Sequence, residues 1–238
     1  MPKILIWDLE TAGVNSLKAD LSNVVCFGYK WVGDKKTHVL TIDQFPGWFS
    51  QKGLNDRGLL KAALRLMEEA DVLVAHFGDF FDRPYFQGRC VIQGLTPPPP
   101  TKQRDTWQIA RRAFTFSGNR LANLADILGV REKKHHKRVP EEWPGWWSSA
   151  LAGNRAAIHK MARYCAQDVR TLEQVYLRLQ KYDLPHPRLV ADRSTCGICG
   201  GPVQYRGFAF VGQYKYRRFQ CTECGRWGRD TKRVREEG

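Results

Sequence analysis

The stretch KILIWDLET (Lys3–Thr11) gives the strongest indication of the fold. Its apolar, β-branched beginning indicates a buried strand. Side chains alternate along a strand, so Asp8 and Glu10 would share one face with Ile4 and Ile6. Two carboxylates on a buried face need a counter-charge, and carboxylate oxygens are suitable ligands for a divalent metal ion. The alternative is that the strand ends at Asp8 and both acids face water.

Apolar runs and amphipathic patterns follow one another between this strand and Lys181. Further strands are predicted at 24–33, 37–45 and 72–77. Helical spacing predicts helices at 55–71, 85–93, 106–114, 120–129 and 154–182. This order of elements is typical of an α/β domain in which helices flank a mixed sheet.

A second acid interrupts an apolar pattern in the long helix predicted at 154–182. Asp168 lies on the stripe that also holds Cys165 and Leu172. Tyr164 precedes it by one turn, so both side chains project from the same face. The alternative is an acid at the edge of the helix that makes only a local hydrogen bond.

The stretch AHFGDFFDRPYF (Ala75–Phe86) adds two aspartates, Asp79 and Asp82. It follows a predicted strand and leads into a helix whose first turn holds Pro84, a position where proline is tolerated. Either aspartate is suited to cap this helix or to lie in its first turn. Because Asp79 follows Gly78 directly, we expect it to be the turn or capping residue.

Three of these segments resemble a known family when they are taken together. DLET (8–11), AHFGDFFDRPYF and YCAQD (164–168) resemble, in order and separation, the three motifs of the DEDD superfamily of 3′–5′ exonucleases. The Tyr-x-x-x-Asp form of the third motif is similar to the DEDDy branch, which occurs in proofreading domains of DNA polymerases. The second motif of that family often reads HNxxxFD; His76, Phe81 and Asp82 match it, whereas Phe77 stands where the family often has asparagine.

The resemblance, which covers about residues 1–180, implies an RNase H-like domain, with bounds that we place at 1–183. It implies two Mg²⁺ or Mn²⁺ ions, held by Asp8, Glu10, Asp82 and Asp168. Two-metal-ion hydrolysis would release nucleoside 5′-monophosphates from a 3′ end. Tyr164 would orient the attacking water, because a free tyrosine has a pKa near ~10 and is a poor base at neutral pH.

The resemblance also implies contacts with the substrate. Thr11 and Phe77 are the candidates for binding the terminal nucleotide. Nucleic acid is the expected substrate, with the 3′ end of single-stranded DNA favoured, and a replication or repair protein is the expected protein partner. Two other functions stay open: a catalytically idle nucleic-acid-binding adaptor, and a structure-specific endonuclease on the same fold.

Four of the seven cysteines form a separate pattern near the C-terminus. CGIC and CTEC give the spacing C-x₂-C-x₂₁-C-x₂-C, which favours one structural Zn²⁺ held by Cys196, Cys199, Cys221 and Cys224. The odd cysteine count argues against a disulfide framework. We therefore expect a small β zinc ribbon over 195–238, joined by a linker over 184–194, in which the metal supplies much of the folding free energy.

The stretch between the two cysteine pairs predicts a hairpin around Gly212-Gln213. Tyr214 and Tyr216 would face one side, and Lys215 and Arg217 the other. The aromatic residues are expected to be mostly the core of this small domain, and the basic residues to contact a nucleic-acid backbone. The role of Trp227 stays open, as do those of the basic run at 131–138 and the tryptophan cluster at 141–147.

The charge of the whole chain points to a polyanionic partner. Thirty-eight Lys and Arg against 24 Asp and Glu give a net charge of +14, which favours nucleic acid over an acidic membrane surface. Solubility alone is the alternative explanation. The N-terminus does not read as a signal peptide, and no run approaches the ~18 apolar residues of a membrane span. We expect a cytoplasmic protein without a membrane partner.

Overall fold

A computed structural model describes residues 2–130 and 143–234 of the chain. The predicted basic run at 131–138 and the first two residues of the tryptophan cluster lie outside the described residues. Among the described helices, none has the length and apolar character of a membrane span. The chain divides into two compact units, Lys3–Tyr176 and a C-terminal unit that begins at Leu177. The predicted domain bounds at 183 and 195 stay predictions.

Among the described residues, the first unit contains seven strands and most of the helical residues. Its strands are β1 (Ile4–Gly13), β2 (Ser22–Trp31), β3 (His38–Thr41), β4 (Phe49–Ser50), β5 (Gly53–Leu54), β6 (Val72–Ala75) and β7 (Lys102–Asp105). The helices are α1 (Arg57–Glu68), α2 (Asp82–Ile92), α3 (Thr106–Ala113), α4 (Leu121–Ile127), α5 (Trp143–Leu151) and α6 (Arg155–Leu179), with a short 3₁₀ turn at Ile42–Gln44. The last three residues of α6 and a 3₁₀ turn at Gln180–Tyr182 belong to the C-terminal unit.

Five of these strands form one mixed sheet in the order β3-β2-β1-β6-β7. β1 pairs antiparallel with β2 and parallel with β6, so it is the central strand. Its Trp7 is fully buried and stacks on Phe27 of β2, and Phe86 of α2 closes the same aromatic core. The predicted α/β class, a mixed sheet flanked by helices, is confirmed.

Two strands differ from the sequence-based expectation. β1 continues to Gly13, with an irregularity in its pairing between Glu10 and Thr11, so the two acids lie inside the strand rather than at its end. The edge strand β7 was not predicted, because its sequence, Lys-Gln-Arg-Asp, has no apolar residue. It nevertheless pairs in parallel with β6 and buries Gln103 and Asp105.

The C-terminal unit holds a three-stranded antiparallel sheet. Its strands are β8 (Val203–Val211), β9 (Tyr214–Cys221) and β10 (Trp227–Arg233), in the order β10-β9-β8. The hairpin around Gly212-Gln213 is confirmed. β10 was not expected, because its sequence, WGRDTKR, lacks the apolar alternation that predicts a strand.

Candidate active site

The structure brings three of the predicted acids together. Asp8 and Glu10 of β1 and Asp168 of α6 each offer a carboxylate oxygen, and these oxygens lie within 4.8 Å of one another. Glu10 and Asp168 are each only 8% exposed, whereas Asp8 is partly exposed. The strand and the helix therefore build one acidic cluster that is open at Asp8.

A glycine on β2 allows α6 to approach the sheet at this point. Gly28 lies opposite Asp8 in the strand register. A Cβ atom at Gly28 would lie 2.6 Å from the Cys165 Sγ and 2.9 Å from a Val169 methyl group. Any larger residue would push α6 away from the sheet, so Gly28 is required for Asp168 to reach β1.

The Cys165 thiol contacts the cluster directly. Its Sγ lies 3.7 Å from both the carboxylate Oδ2 and the backbone oxygen of Asp8. Burial, followed by the charges of Asp8 and Glu10, raises the pKa of this thiol well above its ordinary value. The thiol therefore keeps its proton and donates to Asp8, which restricts the orientation of that carboxylate.

Asp82 lies beside the same strand but is not one of the three clustered acids. It sits in the first turn of α2, and its Oδ1 accepts the backbone N–H of Leu9 at 3.3 Å. The side chain is only 4% exposed, and burial raises its pKa to about 7. A cation bound next to Asp82 would favour the charged form and lower this pKa again.

Asp79 is a turn residue, as expected, but it does not cap α2. The N-cap position of α2 belongs to Phe81. The Asp79 carboxylate instead accepts the side-chain amide of Gln103 at 2.8 Å and that of Gln108. It therefore links the turn before α2 to β7 and α3.

Sequence reasoning missed Asp105, which fixes the backbone of this turn. Its carboxylate accepts the backbone N–H groups of Phe77, Asp79 and Trp107 at 2.9, 3.2 and 2.9 Å. The residue is buried, and desolvation raises its pKa although the three N–H bonds act in the opposite direction. The only sequence signal for it is an aspartate at a helix N-cap position.

Two exposed rings of the turn, Phe77 and Phe80, pack with the half-buried ring of Trp107 in α3, and we name these three rings the aromatic platform. The ring centroids are 5.0 to 5.5 Å apart, and Phe77 and Phe80 are 42% and 55% exposed. Arg111 lies 5.2 Å over the Trp107 ring. Phe77 has φ of +62°, a left-handed conformation that costs a non-glycine residue roughly 1–3 kcal/mol. Such strain is retained at functional sites more often than elsewhere.

The other two predicted site residues, Tyr164 and Thr11, differ in their exposure to solvent. Tyr164 is partly exposed on α6, one turn before Asp168. Thr11 is buried, and its hydroxyl donates to the Ser16 carbonyl at 2.7 Å. The Trp147 indole of α5 donates to the Thr11 backbone oxygen, which ties part of the tryptophan cluster to β1.

The acidic cluster fits a divalent cation by its donor chemistry. Two like charges about 5 Å apart repel by roughly 3 kcal/mol at an effective dielectric constant of about 20. A bound cation removes this repulsion among Asp8, Glu10 and Asp168, and an all-oxygen donor set is the kind that Mg²⁺ and Mn²⁺ prefer.

The four cysteines of the C-terminal unit form a second cluster, within the same 4.8 Å limit. The Cys196–Cys224 and Cys199–Cys221 sulfur pairs are 3.7 and 3.6 Å apart. These distances are too long for disulfides. They are close to the sulfur–sulfur separation of about 3.8 Å that is expected when four sulfurs surround one zinc ion tetrahedrally with Zn–S bonds of about 2.3 Å. The Gly201 and Cys224 backbone N–H groups donate to the Cys199 and Cys221 sulfurs, so the donor set fits one zinc ion.

Comparisons with known proteins agree with this geometry. Residues 5–180 match the family model of the RNase H superfamily. The family B DNA polymerase from the hyperthermophilic archaeon Pyrobaculum calidifontis has a similar structure, with a TM-score of 0.57 and 17% sequence identity. The similarity covers 77% of this chain but only 26% of that polymerase chain. No curated protein matches the sequence. The family and its fold support a nuclease.

Proposed function

The chain belongs to the RNase H superfamily, and from this premise we propose that it is a metal-dependent 3′–5′ exonuclease acting on single-stranded DNA. The observation that carries the proposal is the cluster of Asp8, Glu10 and Asp168 on β1 and α6. A scaffold without catalysis gains nothing from buried acids that repel one another, which argues against an idle adaptor.

We assign the metal-ligand role to these three residues together with Asp82. The bound divalent ions would supply charge neutralisation and an activated water for attack on the phosphodiester. Glu10 and Asp168 are shielded from solvent, so their charges act with little screening. Asp8 is the partly exposed member of the cluster and would face the substrate side.

Tyr164 is proposed to orient the attacking water. It projects from the same face of α6 as Asp168, one turn away, and it is partly exposed. A phenol keeps its proton at neutral pH, since its ordinary pKa is near ~10. Its O–H group can therefore donate or accept a hydrogen bond while it leaves proton removal to other groups.

The aromatic platform is the proposed contact for the terminal base. Stacking on exposed rings is open only to a base that has left the duplex, which favours a single-stranded end. Phe77 and Phe80 of the platform lie in the turn that leads directly into Asp82, so a base held there would belong to the nucleotide next to the acids. Thr11 stays a weaker candidate for substrate contact, because its hydroxyl already donates to Ser16.

Digestion of strands labelled at one end or the other shows from which end the enzyme removes nucleotides. We expect a 3′-labelled single strand to lose its label as a mononucleotide from the first time point. A 5′-labelled strand should instead give a ladder of progressively shorter products. A circular single strand, which has no 3′ end, should stay intact; cleavage of the circle would favour the endonuclease, and tight binding of the linear strand without cleavage would favour the adaptor.

Phe77→Gly separates a role in binding from a role in stability. The glycine accepts a φ of +62° without strain, so we expect the free energy of unfolding to change by less than about 1 kcal/mol. Loss of the ring should raise KM for a single strand about tenfold, since stacking contributes roughly 1–3 kcal/mol per base. Phe77→Tyr, which keeps the ring, is the matched control. An unchanged KM in Phe77→Gly would show that the aromatic platform does not contact the substrate.

A further inference from the structure

The strand register divides the side chains of the C-terminal sheet between two faces. Arg218 of β9 lies opposite Arg229 of β10, and Tyr216 lies opposite Arg233. Residues that are directly opposite share a face, and so do alternate residues of one strand. The face that results, which we name the arginine face, holds Tyr214, Tyr216, Arg218, Trp227, Arg229 and Arg233.

Each aromatic ring of the arginine face carries a guanidinium group over it. Arg233 lies 3.5 Å from the Tyr214 ring centroid, Arg229 lies 4.3 Å from that of Tyr216, and Arg218 lies 5.1 Å from that of Trp227. Trp227 remains 38% exposed and Tyr214 36%. The arginine face therefore holds three neighbouring pairs of an arginine and an aromatic ring, and ring surface stays exposed at Trp227 and Tyr214.

A cavity of about 540 Å³ opens beside Trp227 within the same unit. Four arginines contribute to its wall: Arg188, Arg218, Arg226 and Arg229. No acidic residue belongs to the described part of that wall. The volume lies in the range of about 300–1,000 Å³ that is typical of small-ligand sites, and it is adequate for a nucleotide.

The four arginines do not have the same role. Arg226 donates to the backbone oxygens of Gln180, Asp183 and Leu184, so it holds the chain that enters the unit. Arg188 likewise donates to the backbone oxygens of Asp192 and Thr195. Arg218 and Arg229 lie on the sheet, each over an aromatic ring, and each also donates to one backbone oxygen, that of Arg206 at 3.0 Å and that of Asp230 at 3.3 Å. These two are the arginines placed to meet a ligand on the arginine face.

The opposite face of the sheet has a different composition. Arg217 forms an ion pair with Asp230 at 3.5 Å, and the Tyr205 hydroxyl donates to the same carboxylate at 2.9 Å. Phe219, which is buried, packs edge-on against Tyr205 and supplies the small core on this side. Positive charge on this face is therefore partly neutralised at Arg217. Ring surface is also exposed here, since Phe208 and Phe210 are 44% and 71% exposed and Lys215 lies 4.1 Å from the Phe208 ring centroid.

We propose that the arginine face binds single-stranded nucleic acid, with phosphates at Arg218 and Arg229 and a base stacked on Trp227. Guanidinium groups bind phosphate oxygens in a bidentate manner, and flat exposed rings accept bases of any sequence. An acidic peptide would satisfy the arginines but would leave the exposed rings without a stacking partner. This site is distinct from the acidic cluster, and binding to it does not depend on the proposed hydrolysis.

Two double variants with equal charge test the choice of face. Arg218→Gln/Arg229→Gln changes the arginine face, and Lys215→Gln/Arg217→Gln removes the same charge from the opposite face. Both are made in the zinc-loaded full chain with Asp168→Asn, so that the strand survives, and zinc content reports folding. Fluorescence anisotropy of a labelled single-stranded DNA oligonucleotide should show at least a tenfold loss of affinity for the first and less than about a threefold loss for the second.

The salt dependence of binding supplies a second readout of the same variants. The slope of log affinity against log salt should fall by up to about 1.4 in the first double variant, since each phosphate contact in a single strand contributes about 0.7. Equal losses of affinity in both double variants would mean that only net charge matters, and would overturn the proposal. So would tighter binding of polyglutamate than of the oligonucleotide.

Trp227 tests the stacking part of the proposal. Trp227→Ala should weaken binding of the single strand about tenfold, and Trp227→Phe should restore most of that loss. The wild type should bind the single strand more tightly than a duplex of the same length. Equal affinity for duplex, or full affinity in Trp227→Ala, would contradict a base stacked on Trp227.

Discussion

Asp168→Asn should lower the nuclease rate more than about 100-fold while the protein stays folded. The substitution keeps the size of the side chain but removes one of three charges that lie within 4.8 Å of one another. Loss of a partner that only supports a metal ligand typically costs about 10–100-fold, and loss of a ligand itself should exceed that. The measurement is the initial rate of nucleotide release at saturating Mg²⁺, compared with the wild type.

Glu173→Gln is the matched control on the same helix. Glu173 is also a buried acid of α6, but its partner is Lys30 of β2 rather than the acidic cluster. We expect this variant to lose stability, because Lys30 is left without its ion pair, and to keep its turnover rate. An active Asp168→Asn enzyme, or an equal loss of rate in Glu173→Gln, would contradict the assignment.

Asp82→Asn should stabilise the protein in the absence of Mg²⁺ and Mn²⁺, and should abolish activity. Burial raises the pKa of Asp82 to about 7, against about 3.9 in the unfolded chain. The free energy of unfolding of the wild type should therefore fall by up to about 4 kcal/mol as pH rises from about 4 to about 7. Asparagine does not ionise, and its Oδ1 can still accept the Leu9 N–H.

Urea unfolding at pH 5 and pH 8, with one equivalent of Zn²⁺ and no other divalent ion, measures this difference. The asparagine variant should exceed the wild type by about 2–4 kcal/mol at pH 8 and by less at pH 5, and added Mg²⁺ should narrow the gap at pH 8. Asp79→Asn is the control, three positions away in the same turn, and should keep most of the activity. A variant at Asp82 that is no more stable than the wild type at pH 8 would contradict the expected cost of the buried charge.

The part of the site that lies on strongly patterned elements was predictable from the sequence. Asp8 and Glu10 interrupt an apolar strand, and Asp168 interrupts the apolar stripe of a helix. In each case the acid stands out because the apolar residues around it recur at the regular spacing of a strand or a helix. The four-cysteine cluster was predictable for a similar reason, since its spacing departs from anything that packing alone requires.

The supporting residues were not predictable, because their roles depend on contacts between distant segments. Asp105 ends a strand with no apolar residue. Its bond from the Trp107 N–H is a local helix cap, but its donors Phe77 and Asp79 come from a turn that packs against it only in the folded chain. Gly28 matters only because the strand register sets it opposite Asp8, under Cys165. The exposed, strained conformation of Phe77 has no signal in the sequence beyond the departure from asparagine.

In the C-terminal unit, too, some features follow from the sequence pattern and others depend on how the strands pair. Alternation along β9 predicted that Tyr214 and Tyr216 would lie on the opposite side from Lys215 and Arg217, which the strand pairing confirms. The missed strand β10 then adds two arginines and Trp227 to the tyrosine side. Without that strand, the arginine face could not be recognised.

Hydrolysis of a single strand by this protein should depend on an added divalent ion. The protein is freed of divalent ions, reloaded with one equivalent of Zn²⁺, and given a 3′-labelled single strand while Mg²⁺ or Mn²⁺ is added in steps. We expect no release of nucleoside 5′-monophosphate before the addition and a saturable rise in rate after it. Hydrolysis at full rate without added Mg²⁺ or Mn²⁺, or no release with either ion although the strand is bound, would contradict a catalytic metal site at Asp8, Glu10 and Asp168.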